Sequence, residues 1–179
     1  MTQNPMQWPT QAAVLAGKSV YGNPRSRSVG VGSAVWEAEN LIYVKAPFAM
    51  TFAGQALRLG CKVHRHCAPS LGRVFRNLMD AANSDQQILK DWGVTTYGGG
   101  HVFRLMRGGS NLSMHSYGCA IDLDPVNNGL ADRTPRFAQF PQVLAAFKAE
   151  GWRWGGDWNG NGSSADERRC DGMHWQATA

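Results

Sequence analysis

The sequence predicts a single α+β domain in which a small antiparallel sheet is flanked by helices, and three observations carry that expectation. The chain has 179 residues, a one-domain length that buries a full core without disulfides or a structural metal to rescue it. Apolar residues alternate between short β-branched runs and stretches of helical period, with no internal repeat. Glycine occupies 21 positions, about 12% against an average near 7%, and 17% of residues are charged while 43% are hydrophobic. A loop-rich folded domain is therefore expected, not a disordered chain or a helical bundle.

The elements follow in chain order. Residues 1–40 mix Pro, Gly, Ser and Arg, as in Tyr21-Gly22-Asn23-Pro24-Arg25-Ser26-Arg27-Ser28, with little periodicity. They are expected to form an arm or wrapping segment, leaving 41–179 as the working domain. Leu41-Ile42-Tyr43-Val44-Lys45, followed by Pro47, reads as a strand, and Cys61 to His66 as another. Within the second, Lys62, His64, Arg65 and His66 are expected to make a solvated face, although His64 and His66 share a side and a metal pair is the alternative.

Pro69 suits a helix N-terminus, and Leu71, Val74, Phe75, Leu78, Met79 and Ala82 fall on one helical face. Ser84 with Gln87 reads as a capping box opening a shorter helix that Gly93 closes. Val94–Tyr97 and His101–Met106 are expected as strands around a flexible Gly98-Gly99-Gly100 turn. Ala120 to Asp124 alternates as a strand, Pro141 opens a last helix closed by Gly151, and 152–179 returns to short strands and glycine loops.

Charge and cysteine usage narrow the class. Eighteen Lys and Arg against 13 Asp and Glu give a formal +5, which suits nucleic acid, an anionic envelope or plain solubility. No basic stripe interleaved with aromatics and no helix-turn-helix or zinc-finger spacing supports a nucleic-acid partner. No apolar run approaches the roughly 18 residues of a membrane span, and the N-terminus lacks a basic segment followed by an apolar core. Synthesis in the cytoplasm without a signal peptide and no stable membrane insertion are the expectations. Cys61, Cys67, Cys119 and Cys170 form no CxxC pair and read as thiols, with a Cys61–Cys67 bridge as the alternative in an oxidising setting.

The chemistry concentrates in Ser113-Met114-His115-Ser116-Tyr117-Gly118-Cys119-Ala120-Ile121-Asp122-Leu123-Asp124. Strand alternation turns Ile121 and Leu123 to one side and Asp122 to the other. Gly118 lets the chain fold back, so His115 can reach Asp122. One imidazole and one carboxylate are two of the three protein ligands of a catalytic zinc, which keeps a fourth position open. The third is sought far along the chain, where Asp171-Gly172-Met173-His174-Trp175 offers both a carboxylate and an imidazole. Met173 and Trp175 are expected on a core face with His174 opposite, and Gly172 can absorb a turn that brings Asp171 alongside as a base. Asp124 is a candidate to hold a ligand imidazole in its tautomer.

Ser113-x-His115-x-x-Gly118-x-Ala120-x-Asp122 followed by Asp171-x-x-His174-Trp175 resembles the zinc D-alanyl-D-alanine carboxypeptidase family, which includes phage L-alanyl-D-glutamate endopeptidases that act as endolysins. The resemblance covers roughly residues 60–176 and implies a hedgehog/DD-peptidase-like fold. It implies His115, Asp122 and His174 as zinc ligands and Asp171 as general base. It also implies an oxyanion-stabilising Arg on the preceding strand, for which Arg104 matches best and Arg107 competes. Ser113 belongs to the motif as a substrate-side residue. The run Trp152-Arg153-Trp154-Gly155-Gly156-Asp157-Trp158 resembles one in the endopeptidase branch, which places Asp157 and Trp158 toward the cleft; core packing is the alternative, above all for Trp152 and Trp154.

The expected activity is hydrolysis of the peptidoglycan stem peptide by a monomer acting at the cell wall in phage lysis or virion delivery. The first bond is L-alanyl-D-glutamate, and trimming of terminal D-alanine is the alternative. A non-catalytic zinc-stabilised wall-binding module is the rival from another class, against which the presence of Asp171 weighs. Asn159-Gly160-Asn161-Gly162-Ser163-Ser164 with Asp166 and Glu167 lacks EF-hand spacing and reads as a mobile rim loop.

Overall fold

The N-terminal segment is stitched to the body by long-range bonds from its aromatic residues. The computed structural model describes residues 7–179, so the first six residues of the expected arm lie outside the described residues. Two short helices, α1 (Gln11–Leu15) and α2 (Ala34–Asn40), begin where the hydroxyls of Thr10 and Ser33 accept backbone N–H groups. The Trp8 indole donates to the Glu150 carbonyl at 2.9 Å, and the Tyr21 hydroxyl to the Ala177 carbonyl at 2.6 Å. Trp8, Val14 and Tyr21 belong to the same buried cluster as the rest of the core, so the segment wraps one body.

β1 (Leu41–Val44) precedes a tight hairpin of β2 (Thr51–Phe52) and β3 (Gln55–Ala56), and pairs antiparallel with β4 (Cys61–His64) as a separate two-stranded sheet. His64 is fully buried between the Tyr21 and Trp36 rings and stacks on His66 at 5.2 Å. The expected solvated face therefore excludes His64, because the N-terminal segment covers that side.

α3 (Ala68–Ala81) carries Pro in its first turn and fully buries Leu71, Val74, Phe75 and Leu78. Each such side chain contributes about 1.5–3 kcal/mol relative to exposure. α4 (Gln86–Asp91) is capped by Asp85, whose carboxylate accepts the N–H groups of Gln87 and Ile88, in place of the expected Ser84. Ser84 has φ +63°, a left-handed conformation incompatible with capping.

β5 (Thr96–Gly99), β6 (Ala120–Leu123), β7 (Arg153–Trp154) and β8 (His174–Gln176) complete a six-stranded sheet of order β3-β2-β5-β6-β8-β7. The sheet is mixed, not wholly antiparallel, because β2 runs parallel to β5. The glycines expected as a turn lie largely within β5, and the expected strand over 101–106 is reduced to a single Leu105–Leu112 bridge. Gly98 and Gly100 carry no Cβ, which lets Asp122 on one side and Tyr97 and the Lys62 carbonyl on the other approach the backbone.

α5 (Pro141–Lys148) covers the sheet beside β8. Trp175 from β8 stacks on Phe147 at 4.0 Å and on Trp154 at 5.8 Å, with Phe137 edge-on at 5.6 Å. This aromatic block packs β8 against α5 and β7, while strand pairing joins β8 to β6, the pair that carries the site. All four cysteines are free and buried, and burial pushes the thiols of Cys61 and Cys67 up to about 12. No helix among the described residues is long and apolar enough to cross a membrane.

Candidate metal centre and cleft

Strand register builds the centre. In the antiparallel β6·β8 pair, Asp122 lies directly opposite His174, so carboxylate and imidazole leave the same face as a cross-strand pair. His115 arrives from a 3₁₀ turn, Met114–Tyr117, whose N-terminus is capped by the Ser113 hydroxyl accepting the His115 N–H. The turn closes on Gly118 in the left-handed region, φ +65°, where a Cβ would sit 2.8 Å from the His64 nitrogen. Only glycine satisfies both demands, and the reversal it makes returns His115 to the end of β6.

The three donor atoms form a nearly equilateral triangle. His115 Nε2 lies 3.1 Å from His174 Nδ1 and 3.3 Å from Asp122 Oδ1, and His174 Nδ1 lies 3.2 Å from Asp122 Oδ1. A tetrahedral zinc with ligand bonds of about 2.0–2.1 Å has ligand–ligand edges of about 3.3–3.4 Å. The residues present therefore fit that ion, and the group is the one cluster of its kind found among the described residues.

Hydrogen bonds from the far side of each ring fix the tautomers the fit requires. His115 Nδ1–H donates to the Gly100 carbonyl at 2.7 Å, which turns the Nε2 lone pair inward. His174 Nε2–H donates to Gln176 Oε1 at 3.1 Å, which turns its Nδ1 lone pair inward. Gln176 in turn donates to Thr178 Oγ1 and, at 3.2 Å, to Gln11 Oε1 from α1.

Two inward lone pairs and a carboxylate at this spacing make a site for a cation. Burial opposes charging of His174, but its hydrogen bond to Asp122 and that carboxylate's charge outweigh burial and raise its pKa. Burial likewise pushes Asp122 up, yet bonds from both imidazoles hold its carboxyl well below the usual range.

Asp124 does not serve either imidazole. At φ +43° it leaves the strand, and its carboxylate accepts from the side chains of Asn127 and Asn128. The backbone carbonyl of Gly100 and the Gln176 amide take the role expected of it.

Asp171 and His174 are joined by a turn in which the His174 N–H donates to the Asp171 carbonyl at 2.9 Å. Asp171 Oδ1 is buried without a hydrogen-bond partner. Burial, against the opposing charge of His174, raises the pKa of its carboxyl, which makes it a better proton acceptor near neutrality. Met173 lines the cleft instead of sharing the core face of Trp175, because the turn through Gly172 breaks strand alternation before β8 begins.

Two cavities share part of the triad. One of about 300 Å³ holds Arg104, Arg107, Ser113, Trp158, Arg169 and Asp171 along its walls, and one of about 430 Å³ holds Phe52, Tyr97, Gly98–Gly100 and His101. His115, Asp122 and Arg104 line both. Arg104 thus stands at the junction, whereas Arg107 stands on the side of Asp171. Trp158 faces His174 at 5.8 Å between ring centres. Asp157 is directed elsewhere: its Oδ2 accepts the Gly162 N–H at 3.0 Å and braces the 159–163 loop, so it is not a cleft wall.

Residues 107–177 match the family model described as D-alanyl-D-alanine carboxypeptidase. The matched span contains all three triad residues and Asp171, and it supports a peptidase-type hydrolase acting on peptidoglycan. No curated protein and no solved structure gives a match. Gly100 and Arg104, together with Gln11, lie outside the matched span but belong to the same site.

Gln11, Gln176 and Arg169 are the site residues that sequence reading did not single out. Gln176 follows the acid-x-x-His-aromatic run by one position and was legible as an inward partner of His174 by period-2 alternation. Nothing local in the sequence marks Gln11 or Arg169, which reach the cleft only through tertiary packing.

Proposed function

We propose that the chain is a zinc peptidase that cleaves the peptidoglycan stem between L-alanine and D-glutamate, as a phage-type endolysin made in the cytoplasm and working at the cell wall. The observation that carries this reading is that His115, Asp122 and Arg104 each line two cavities, so that space for substrate lies on both sides of them. An enzyme that cuts inside a peptide needs room for substrate in both directions. A basic chain of +5 suits an anionic wall.

His115, Asp122 and His174 would hold the metal. Zinc there would polarise the scissile carbonyl and make water acidic near neutral pH. Asp171, with its unpartnered Oδ1, takes the proton of the attacking water and returns it to the leaving amine. Arg104, lining both cavities, faces the developing oxyanion, where one preorganised contact is worth about 3–4 kcal/mol. A wall-binding module without turnover has no use for a buried, unpartnered carboxylate beside the triad.

The test is incubation of the zinc-loaded protein, with and without chelator, on isolated peptidoglycan, followed by mass spectrometry of new termini. A chelator-sensitive free amino group on D-glutamate is the expected product. Free D-alanine assigns the carboxypeptidase activity that the matched family's description carries, and no product at one equivalent of zinc leaves the binding module.

A further inference from the structure

We infer that the smaller cavity binds the amine half of the substrate and that Arg169, with Arg107, reads a free carboxylate on it. The inference rests on the peptidase reading above and adds the direction of the substrate and the group that selects it.

Direction follows from proton return. The residue that protonates the leaving nitrogen must stand on that nitrogen's side, and Asp171 lines the smaller cavity but not the larger one. The amine half therefore lies with Asp171, and the acyl half, ending in L-alanine, lies over Gly98–Gly100 in the larger cavity.

The charge distribution agrees with this direction. The smaller cavity carries Arg104, Arg107 and Arg169, and among the described residues none of the three has a carboxylate within 4.0 Å. Lys62, the cation found only in the larger cavity, is already paired with Glu37 at 3.3 Å. Arg104 is shared by both cavities, so the unneutralised cations confined to one side, Arg107 and Arg169, lie on the amine side.

Arg169 is held in place at both ends. Its carbonyl accepts the Trp158 indole N–H at 2.9 Å, and its Nη2 donates to the Arg107 carbonyl at 2.8 Å. Further guanidinium N–H groups remain for a ligand, in the fork that matches a carboxylate. In a stem that continues through the γ-carboxyl of D-glutamate, the α-carboxylate is free and sits on the carbon that bears the scissile nitrogen. It must enter the cavity with the leaving amine.

The experiment compares two synthetic muramyl peptides, one with the free D-glutamyl α-carboxylate and one with its α-amide, on the zinc-loaded full chain. The expected result is a kcat/KM about 10- to 100-fold higher for the acid, the range of a hydrogen bond to a charged group. Arg169→Gln brings the ratio to within about threefold by slowing the acid, and Arg169→Lys keeps part of the preference.

Equal cleavage of acid and amide by the parent, or an unchanged ratio in R169Q, overturns the inference. Failure to cleave either peptide overturns the peptidase reading instead. Calorimetric titration of the amine-half peptides, which needs no turnover, then decides separately: tighter binding of the acid that R169Q abolishes supports the carboxylate site, and equal affinities refute it.

Discussion

Replacing Gln176 with Leu isolates the contribution of a tautomer to metal binding. The Gln176 Oε1 is the only acceptor that the described residues offer to His174 Nε2–H, at 3.1 Å, and His174 is 7% exposed. In the metal-free variant the imidazole escapes the loss by moving its proton to Nδ1, 3.2 Å from Asp122 Oδ1. A metal on Nδ1 forbids that escape and leaves a buried N–H with no partner. The penalty of about 1–3 kcal/mol for such a donor therefore falls mainly on the metal-bound state. Zinc affinity should drop about 10- to 100-fold, as for other outer partners of metal-bound imidazoles. Competition with a chromophoric chelator measures it, with thermal melts of the metal-free proteins to show that the fold is intact. Gln176→Glu retains an acceptor at the same reach, so that variant should keep parental affinity or exceed it. A zinc Kd for Q176L within about threefold of the parent would refute the reasoning.

The remaining predictions concern the base, the fold and pH. Asp171→Asn should keep one equivalent of zinc and lose about 10²- to 10⁴-fold in kcat, whereas His115→Ala should lose both metal and turnover; equal activity of D171N and the parent would remove Asp171 from its role. Gly118→Ala should cost at least the roughly 1–2 kcal/mol of a left-handed alanine, because its Cβ also meets the His64 backbone, and an unchanged denaturation midpoint in urea would count against the geometry. Burial, aided by the charges of His66 and Arg65, lowers the His64 pKa from 6.5 to about 4. The unfolded chain thus takes up a proton at higher pH than the native one. The stability from neutral His64 is full above about pH 6.5 and is lost between 6.5 and 4, by about 3 kcal/mol at most. His64→Gln should flatten that part of the stability–pH curve, and an identical slope in the variant would show that other groups govern it.

The triad was legible because each of its members obeys a local rule. Asp122 follows from alternation in β6, His115 from a glycine reversal, and His174 from an aromatic-flanked strand. Readings failed where the backbone left the period that they assumed. Asp124 at φ +43° no longer shares a face with Asp122, and Met173 belongs to a turn, so its parity with Trp175 means nothing. Asp85 displaced Ser84 as a cap because the two residues before it, Asn83 and Ser84, are both left-handed. His64 alternates correctly, but the N-terminal segment covers its strand, and aperiodic sequence gives no sign of where it packs.

That segment changes how the site should be understood. The family match spans 107–177 and contains the His115, Asp122 and His174 triad and Asp171. The groups that orient them come in part from elsewhere: Gly100 fixes the His115 tautomer from β5's end, Arg104 stands at the cavity junction, and Gln11 reaches from α1 to Gln176. Trp8 and Tyr21 tie the same segment to α5's C-terminal side and to the residues after β8, with bonds to Glu150 and Ala177. Gln11 is therefore not a loose rim residue. It is placed by a buried framework, and a change there reaches His174 through one intervening amide. The metal-ligand geometry can thus reside in a short contiguous span, while partners that orient it are supplied by a segment whose sequence carries no motif.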